Sequence, residues 1–266
     1  MDGVDAGGRW FERLVVLPLV FYLVLVLVLI AGVFASVTWG AFKQAVGDAA
    51  VWHAVYMSFF TSLLSTGLSL LFAIPAGYVL SRRKFPGMFL LDTVLDMPIV
   101  LPPLVMGLSV LIFFSTRPGR FIDRHLVEFV YNWHGIVFVQ FVVGCAFAAR
   151  AVKAGFDGFD RRYEEVAMTL GADRWKAFRR VVLPLITPSI VAAAVISWAR
   201  IFGLFGPVLL VAGTMRGRTE IMPTTIFLET SVGRIEVALV VGALMIVFST
   251  AMLVAFKRLG GRVYLW

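Results

Sequence analysis

Tyr163-Glu-Glu-Val-Ala-Met-Thr-Leu-Gly171-Ala-Asp-Arg-Trp-Lys-Ala-Phe-Arg-Arg-Val-Val-Leu-Pro184 is a polar interlude in an apolar chain. Tyr163, Val166, Ala167 and Leu170 recur at i, i+3, i+4 and i+7, which gives a short helix one apolar stripe. Glu164 and Glu165 fall in its first turn, where the helix dipole favours acid. Gly171 follows at a C-cap position, where glycine takes the left-handed conformation without strain. The stretch predicts a short amphipathic helix within residues 160–172, outside the bilayer, with a sharp turn after it. Such a helix either rests on lipid headgroups or acts as a peg for the groove of a cytoplasmic partner. Its acids would be repelled by anionic lipid, which favours the peg.

Working outward, the other residues form a membrane protein. The chain has 266 residues, 60% of them apolar and 15% charged, with mean hydropathy +0.92. A soluble domain carries about 45–50% apolar and about 25% charged residues. Soluble enzyme, nucleic-acid binder and disordered chain are therefore poor fits, and the expected class is an all-α polytopic membrane protein. The net charge of +8 is read as a topology signal rather than an affinity for nucleic acid. Cys145 is alone, and His53, His125 and His134 are scattered with no carboxylate at ligand spacing. No phosphate-binding loop occurs. No catalytic site, metal or cofactor is expected in this chain.

A hydrocarbon core of roughly 30 Å needs about 20 apolar helical residues. Six segments qualify: Leu14–Ala35, Tyr56–Leu80, Val94–Phe114, Gly135–Val152, Val181–Ala212 and Val237–Phe256. The first exceeds the 7–15 residues of a signal-peptide core, so it reads as an uncleaved helix. The fifth holds Pro184, Pro188 and Pro207 and is expected to be bent or broken. Counting Lys and Arg by side sets sixteen against seven. The richer side holds Arg9, Arg13, the loop Arg82-Arg83-Lys84, the 150–180 loop and the C-terminal Lys257, Arg258 and Arg262. That bias puts both termini in the cytoplasm. Residues 1–266 read as one transmembrane domain, with no soluble domain or internal repeat.

Glu165-Val-Ala167, three residues, Gly171, nine residues, then Val181-x-Leu183-Pro184 resembles the E-A-A signature of binding-protein-dependent ABC importer permeases. The spacing matches throughout; Val166 replaces Ala and Val181 replaces Ile. Ala76-Gly-Tyr78-Val-Leu-Ser-Arg82-Arg-Lys-Phe85-Pro86-Gly87, with Leu91-Asp92 through Asp96-Met-Pro98 to Pro102-Pro103, is similar to the sulfate, molybdate and tungstate permeases. So are Phe205-Gly206-Pro207 and Thr219-Glu220 through Glu229. Those permeases usually read A-R-A-L-G-E-F-G, whereas this chain has Leu204 where the Glu would stand. The resemblance spans residues 50–256, the permease core.

The resemblance implies a type I ABC importer permease fold in the cytoplasmic (inner) membrane. It implies a second permease chain, expected as a homodimer, cytoplasmic ATPase subunits that use ATP, and an extracytoplasmic substrate-binding protein. The cargo would be molybdate, sulfate or tungstate, moved by alternating access. Tyr163, Glu164, Glu165, Val166, Ala167, Leu170 and Gly171 would couple the chain to the ATPase. Phosphate, ferric ion or polyamine remain alternative substrates. An ion-coupled secondary transporter is the rival class, but it would need acids well inside the spans.

Arg200 is the only Lys or Arg deep within a predicted span, Arg150 lying at the end of the fourth. It either attracts an oxyanion at the outer gate or serves the gate as a structural pair or a side chain snorkelling to the headgroups. Thr187, Ser189 and Ser197 on the fifth span and Ser109 on the third are candidates to line the path. Their competing role is a bond to their own backbone. Phe205 is a candidate constriction. Asp96 has Arg82 or Arg83 as candidate partners, and the 115–134 loop is a candidate docking surface for the binding protein. Trp10, Trp39, Trp52, Trp133 and Trp266 read as interfacial anchors in contact with membrane lipid.

Overall fold

A computed structural model describes residues 4–83 and 85–261. Lys84, Arg262 and Trp266 lie outside the described residues. A chain in lipid must satisfy its own backbone groups, and every regular element described is helical. In order these are α1 (Val4–Ala35), α2 (Trp39–Gly47), α3 (Ala49–Arg82), α4 (Met88–Val100), α5 (Pro103–Ser115), α6 (Arg117–His125) and α7 (Trp133–Asp157). There follow α8 (Arg162–Thr169), α9 (Arg174–Ala177), a π turn (Phe178–Val182), α10 (Leu183–Leu185), α11 (Thr187–Phe202), α12 (Gly206–Ala212), α13 (Met222–Ser231) and α14 (Ile235–Gly261). Four segments are long and apolar enough to cross a membrane: Leu14–Ala35, Ala49–Arg82, Trp133–Asp157 and Ile235–Phe256. Two bent pairs bring the number to six if each pair is one crossing.

The third predicted span, Val94–Phe114, is not one helix. α4 and α5 meet at 111°. Proline disfavours the helical region for the residue before it. Leu101 and Pro102 both precede a proline, and both are extended, with ψ of 139° and 135°. Two successive extended residues end α4, and Pro103 starts α5. The fifth span is broken as expected, but twice. Arg174–Leu185 and α11 meet at 66° across Ile186. Gly203–Phe205 then separates α11 from α12, with Pro207 in the first turn of α12. The other spans run longer than predicted, at Ala49–Arg82, Trp133–Asp157 and Ile235–Gly261. Three short helices outside the predicted spans, α2, α6 and α13, add to the expected set. Two begin on side-chain caps: Thr38 accepts from the Ala41 N–H and Thr116 from the Gly119 N–H.

The centre is the α3–α7 pair, where small residues permit close backbone approach. A Cβ on Gly77 would stand 3.0 Å from the Lys153 backbone nitrogen. Ser65 donates between Val137 O and Gln140 Oε1, each at 3.1 Å. α11 joins this pair through Trp198, whose indole donates to Ser62 Oγ at 3.1 Å. On α1, no residue of Leu14–Ala35 is buried within the chain.

Candidate functional site

α8 is built as its sequence directs. The Asp160 carboxylate accepts from the Arg162 N–H at 2.9 Å and opens the helix. At the other end Gly171 N bonds Met168 O at 3.0 Å and Ala172 N bonds Ala167 O at 3.1 Å. Those are the paired bonds of a Schellman closure. They require Gly171 at φ +91°. Nothing lies within 4 Å of a Cβ added there, so backbone conformation alone excludes larger residues. Asp173 then caps α9 by accepting from the Lys176 N–H at 2.7 Å. That bond, with the Lys176 ammonium, holds its carboxyl below the usual value.

The peg has two faces. Tyr163, Val166 and Leu170 are 58%, 55% and 83% exposed, so the apolar stripe points away from the chain. Ala167 is half-buried. The two acids part company. Glu165 faces outward and pairs locally with Arg161 at 3.3 Å. Glu164 is 6% exposed, accepts from the Tyr78 hydroxyl at 2.5 Å and has Arg82 Nε at 3.8 Å. Arg82 also donates to Phe159 O at 3.1 Å. Tyr78 packs edge-on against Phe156 and Phe178. The peg is thus rooted in the end of α3 as well as in the π turn that leads to α11.

The pathway candidates scatter. Arg200 and Phe205 line one cleft of about 610 Å³ at the α4–α5 break, with Leu101, Pro102, Phe147 and Leu204. The Arg200 guanidinium lies 5.0 Å from the Phe147 ring centre and has no carboxylate partner among the described residues. Within the chain its neighbour is therefore an aromatic face. Phe205 is half-buried against Phe227, with ring centres 5.2 Å apart. Ser197 is buried and donates to Gly144 O at 2.9 Å, which fastens α11 to α7. Ser189 fills the contact with Gly155, where an added Cβ would be 2.3 Å from its own Cβ. Ser109 and Thr187 donate to Val105 O and Leu183 O, four residues back.

Asp96 does not pair with Arg82 or Arg83. Arg150 on α7 takes both Asp96 and Asp92, with Asp92 at 3.2 Å, and so ties α4 to α7. The i, i+4 spacing of the two acids put them on one helix face, which was a usable sign of a shared cation. Glu229 was also missed: it is buried and bridges Arg216 and Arg234, the latter at 2.8 Å. Glu220 nearby is fully buried. Burial pushes its carboxyl upward, aided by Glu229 and Asp48 and opposed by Thr225 and Arg216. The 115–134 loop is folded, with Asp123 accepting from the Phe129 and Val130 N–H groups.

A family model for the binding-protein-dependent transport system inner membrane component matches residues 69–264. The chain belongs to that family. The permease matches the molybdenum transport system permease protein ModB of Escherichia coli K12 at 35% identity, covering 66% of this chain and 78% of the relative. It matches the sulfate transport system permease CysT of the same strain at 30%, covering 73% and 71%. The molybdate/tungstate permease WtpB of Thermococcus kodakarensis is 37% identical over 62% of each chain. In fold the permease is similar to a bacterial alginate ABC transporter chain solved with a pentasaccharide-bound periplasmic protein, at TM-score 0.78, 16% identity and coverage of 97% and 96%. A chain of the MetNI methionine transporter aligns at TM-score 0.63 and 15% identity, covering 79% and 94%. The protein is a multi-pass inner-membrane permease subunit of an ABC importer.

Proposed function

We propose that this permease carries a tetrahedral oxyanion, molybdate, sulfate or tungstate, and is driven through α8 by a cytoplasmic ATPase. The supporting observation is the split character of α8. Its exposed Tyr163, Val166 and Leu170 suit a groove in a partner, while buried Glu164 fixes its base to α3. Closure of two ATPases would draw the two pegs together. Each peg would pull α3 through Tyr78 and α11 through the π turn, a rigid-body route to alternating access. The choice of oxyanion follows the names of the relatives and the Asp92–Pro103 stretch. Both termini lie in the cytoplasm on the evidence of the cation bias. The complex holds two copies of this chain, two ATPase subunits that consume ATP, and an extracytoplasmic binding protein.

A mild-detergent pull-down of the tagged permease from its native membrane tests the coupling half. A stoichiometric ATPase is expected, and it should be lost when Glu165 and Gly171 are replaced. Its absence, in a detergent that preserves a known importer, would remove the coupling role of α8. The co-purified binding protein, titrated with the three oxyanions, tests the cargo.

A further inference from the structure

Between the end of α3 and the α8–α9 turn lies a cleft of about 670 Å³, walled on one side by the Tyr78–Glu164 contact that roots the peg and open beyond it. Its lining changes with depth. Along α3 it passes from Pro75 and Val79 to Arg82 and Arg83. That run spans about 12 Å along a membrane-crossing helix. On the facing wall Phe178 gives way to Trp175 and then Arg174. The apolar end is therefore the deeper one, and the basic end lies where α3 leaves the bilayer. Trp175, exposed at the mouth, is the residue type that sits at headgroup level.

The charges do not cancel inside the cleft. Four arginines and two glutamates line it. Arg82 sits against Glu164 and Arg161 pairs with Glu165. Arg83 and Arg174 have no carboxylate partner among the described residues and are exposed. Two free guanidiniums above an apolar floor form an amphipathic socket.

We propose that this cleft binds an anionic phospholipid from the leaflet on the α8 side. The phosphodiester would lie between Arg83 and Arg174, and an acyl chain against Pro75, Val79 and Phe178. Guanidinium suits a phosphate by charge and by paired donors. A free phosphate would have no use for the apolar floor. An acidic segment of a protein partner would not need a polarity gradient aligned with the bilayer-crossing axis. The inference does not depend on which ion is carried.

The test uses the whole importer, permease with its ATPase and binding protein, in phosphatidylcholine vesicles. A photo-crosslinkable phosphatidylglycerol or phosphatidylcholine is added in trace, and labelled peptides are mapped. The phosphatidylglycerol probe is expected on residues 75–83 and 174–178. Arg83→Gln with Arg174→Gln should cut that label on the order of tenfold, while Arg179→Gln with Arg180→Gln, outside the lining, should retain it. Three results would overturn the proposal: equal labelling by phosphatidylcholine, displacement by inorganic phosphate at millimolar concentration, or label that appears only after the ATPase is stripped away. The last would assign the cleft to the protein partner. The wild-type arms decide the matter even if the double variant fails to fold.

Discussion

Glu164 and Glu165 are neighbours with the same charge and opposite fates. One turns inward under Tyr78, the other outward to Arg161. Tyr78→Phe removes the hydroxyl that donates to a buried carboxylate, a loss worth about 1–3 kcal/mol. The permease should still insert, but the ATP hydrolysed per ion transported should rise; both rates are measured on one vesicle preparation, and an unchanged ratio would sever α3 from coupling. Gly171→Ala imposes about 1–2 kcal/mol of left-handed strain at the peg's closure and should weaken ATPase binding while leaving membrane insertion intact, as read by pull-down and membrane yield. Glu220 sets a pH dependence. Its folded value lies above the ordinary carboxylate value, so the folded state favours the protonated form. Stability is then fully present below the unfolded value and is lost as pH rises through the raised one. Glu220→Gln should flatten that slope in a detergent-solubilised thermal melt; an identical slope would exclude Glu220 as its source. The stripe, the first-turn acids and Gly171 were legible locally. The burial of Glu164 was not, because Tyr78 lies 86 residues away.

At the scale of elements, Pro102 and Pro103 set the break in the third span, while Pro75 leaves α3 unbroken. Three prolines in the fifth span gave a visible signal. Pro98, Pro102 and Pro103 gave the same signal in the third span, but the apolar run concealed it. Hydropathy reports burial in lipid and is blind to direction, so a sharp bend leaves it unchanged. The consequence is an exposed α4 with no buried residue of its own, tied to α7 by Asp92 and Asp96 on Arg150. Asp92→Asn with Asp96→Asn leaves Arg150 without either anion. Hydrogen exchange should then accelerate across residues 88–100 and stay unchanged in α3 and α7. Uniform acceleration would mean that the ion pairs hold the whole bundle. Ser197 and Ser189, candidates for a path, make helix contacts that only the assembled fold reveals.

Across the whole molecule, composition and loop charge were enough for the class of protein and the approximate spans, and the spacing from Glu165 through Gly171 to Pro184 carried the family. What they could not supply was the way the helices interlock, since that rests on glycine and serine contacts between distant segments. The sequence carries no nucleotide loop, and α8 exposes an apolar stripe, so transport energy is proposed to reach the permease through α8. Proteoliposomes carrying the permease with its ATPase, and the binding protein outside, test this most directly. Uptake of labelled molybdate and sulfate is followed with and without internal ATP, in wild type and in Leu170→Asp. Accumulation is expected only with ATP, and Leu170→Asp should abolish it while the permease remains in the membrane. Uptake that runs on an ion gradient without ATP, or that survives Leu170→Asp undiminished, would contradict the coupling role of α8.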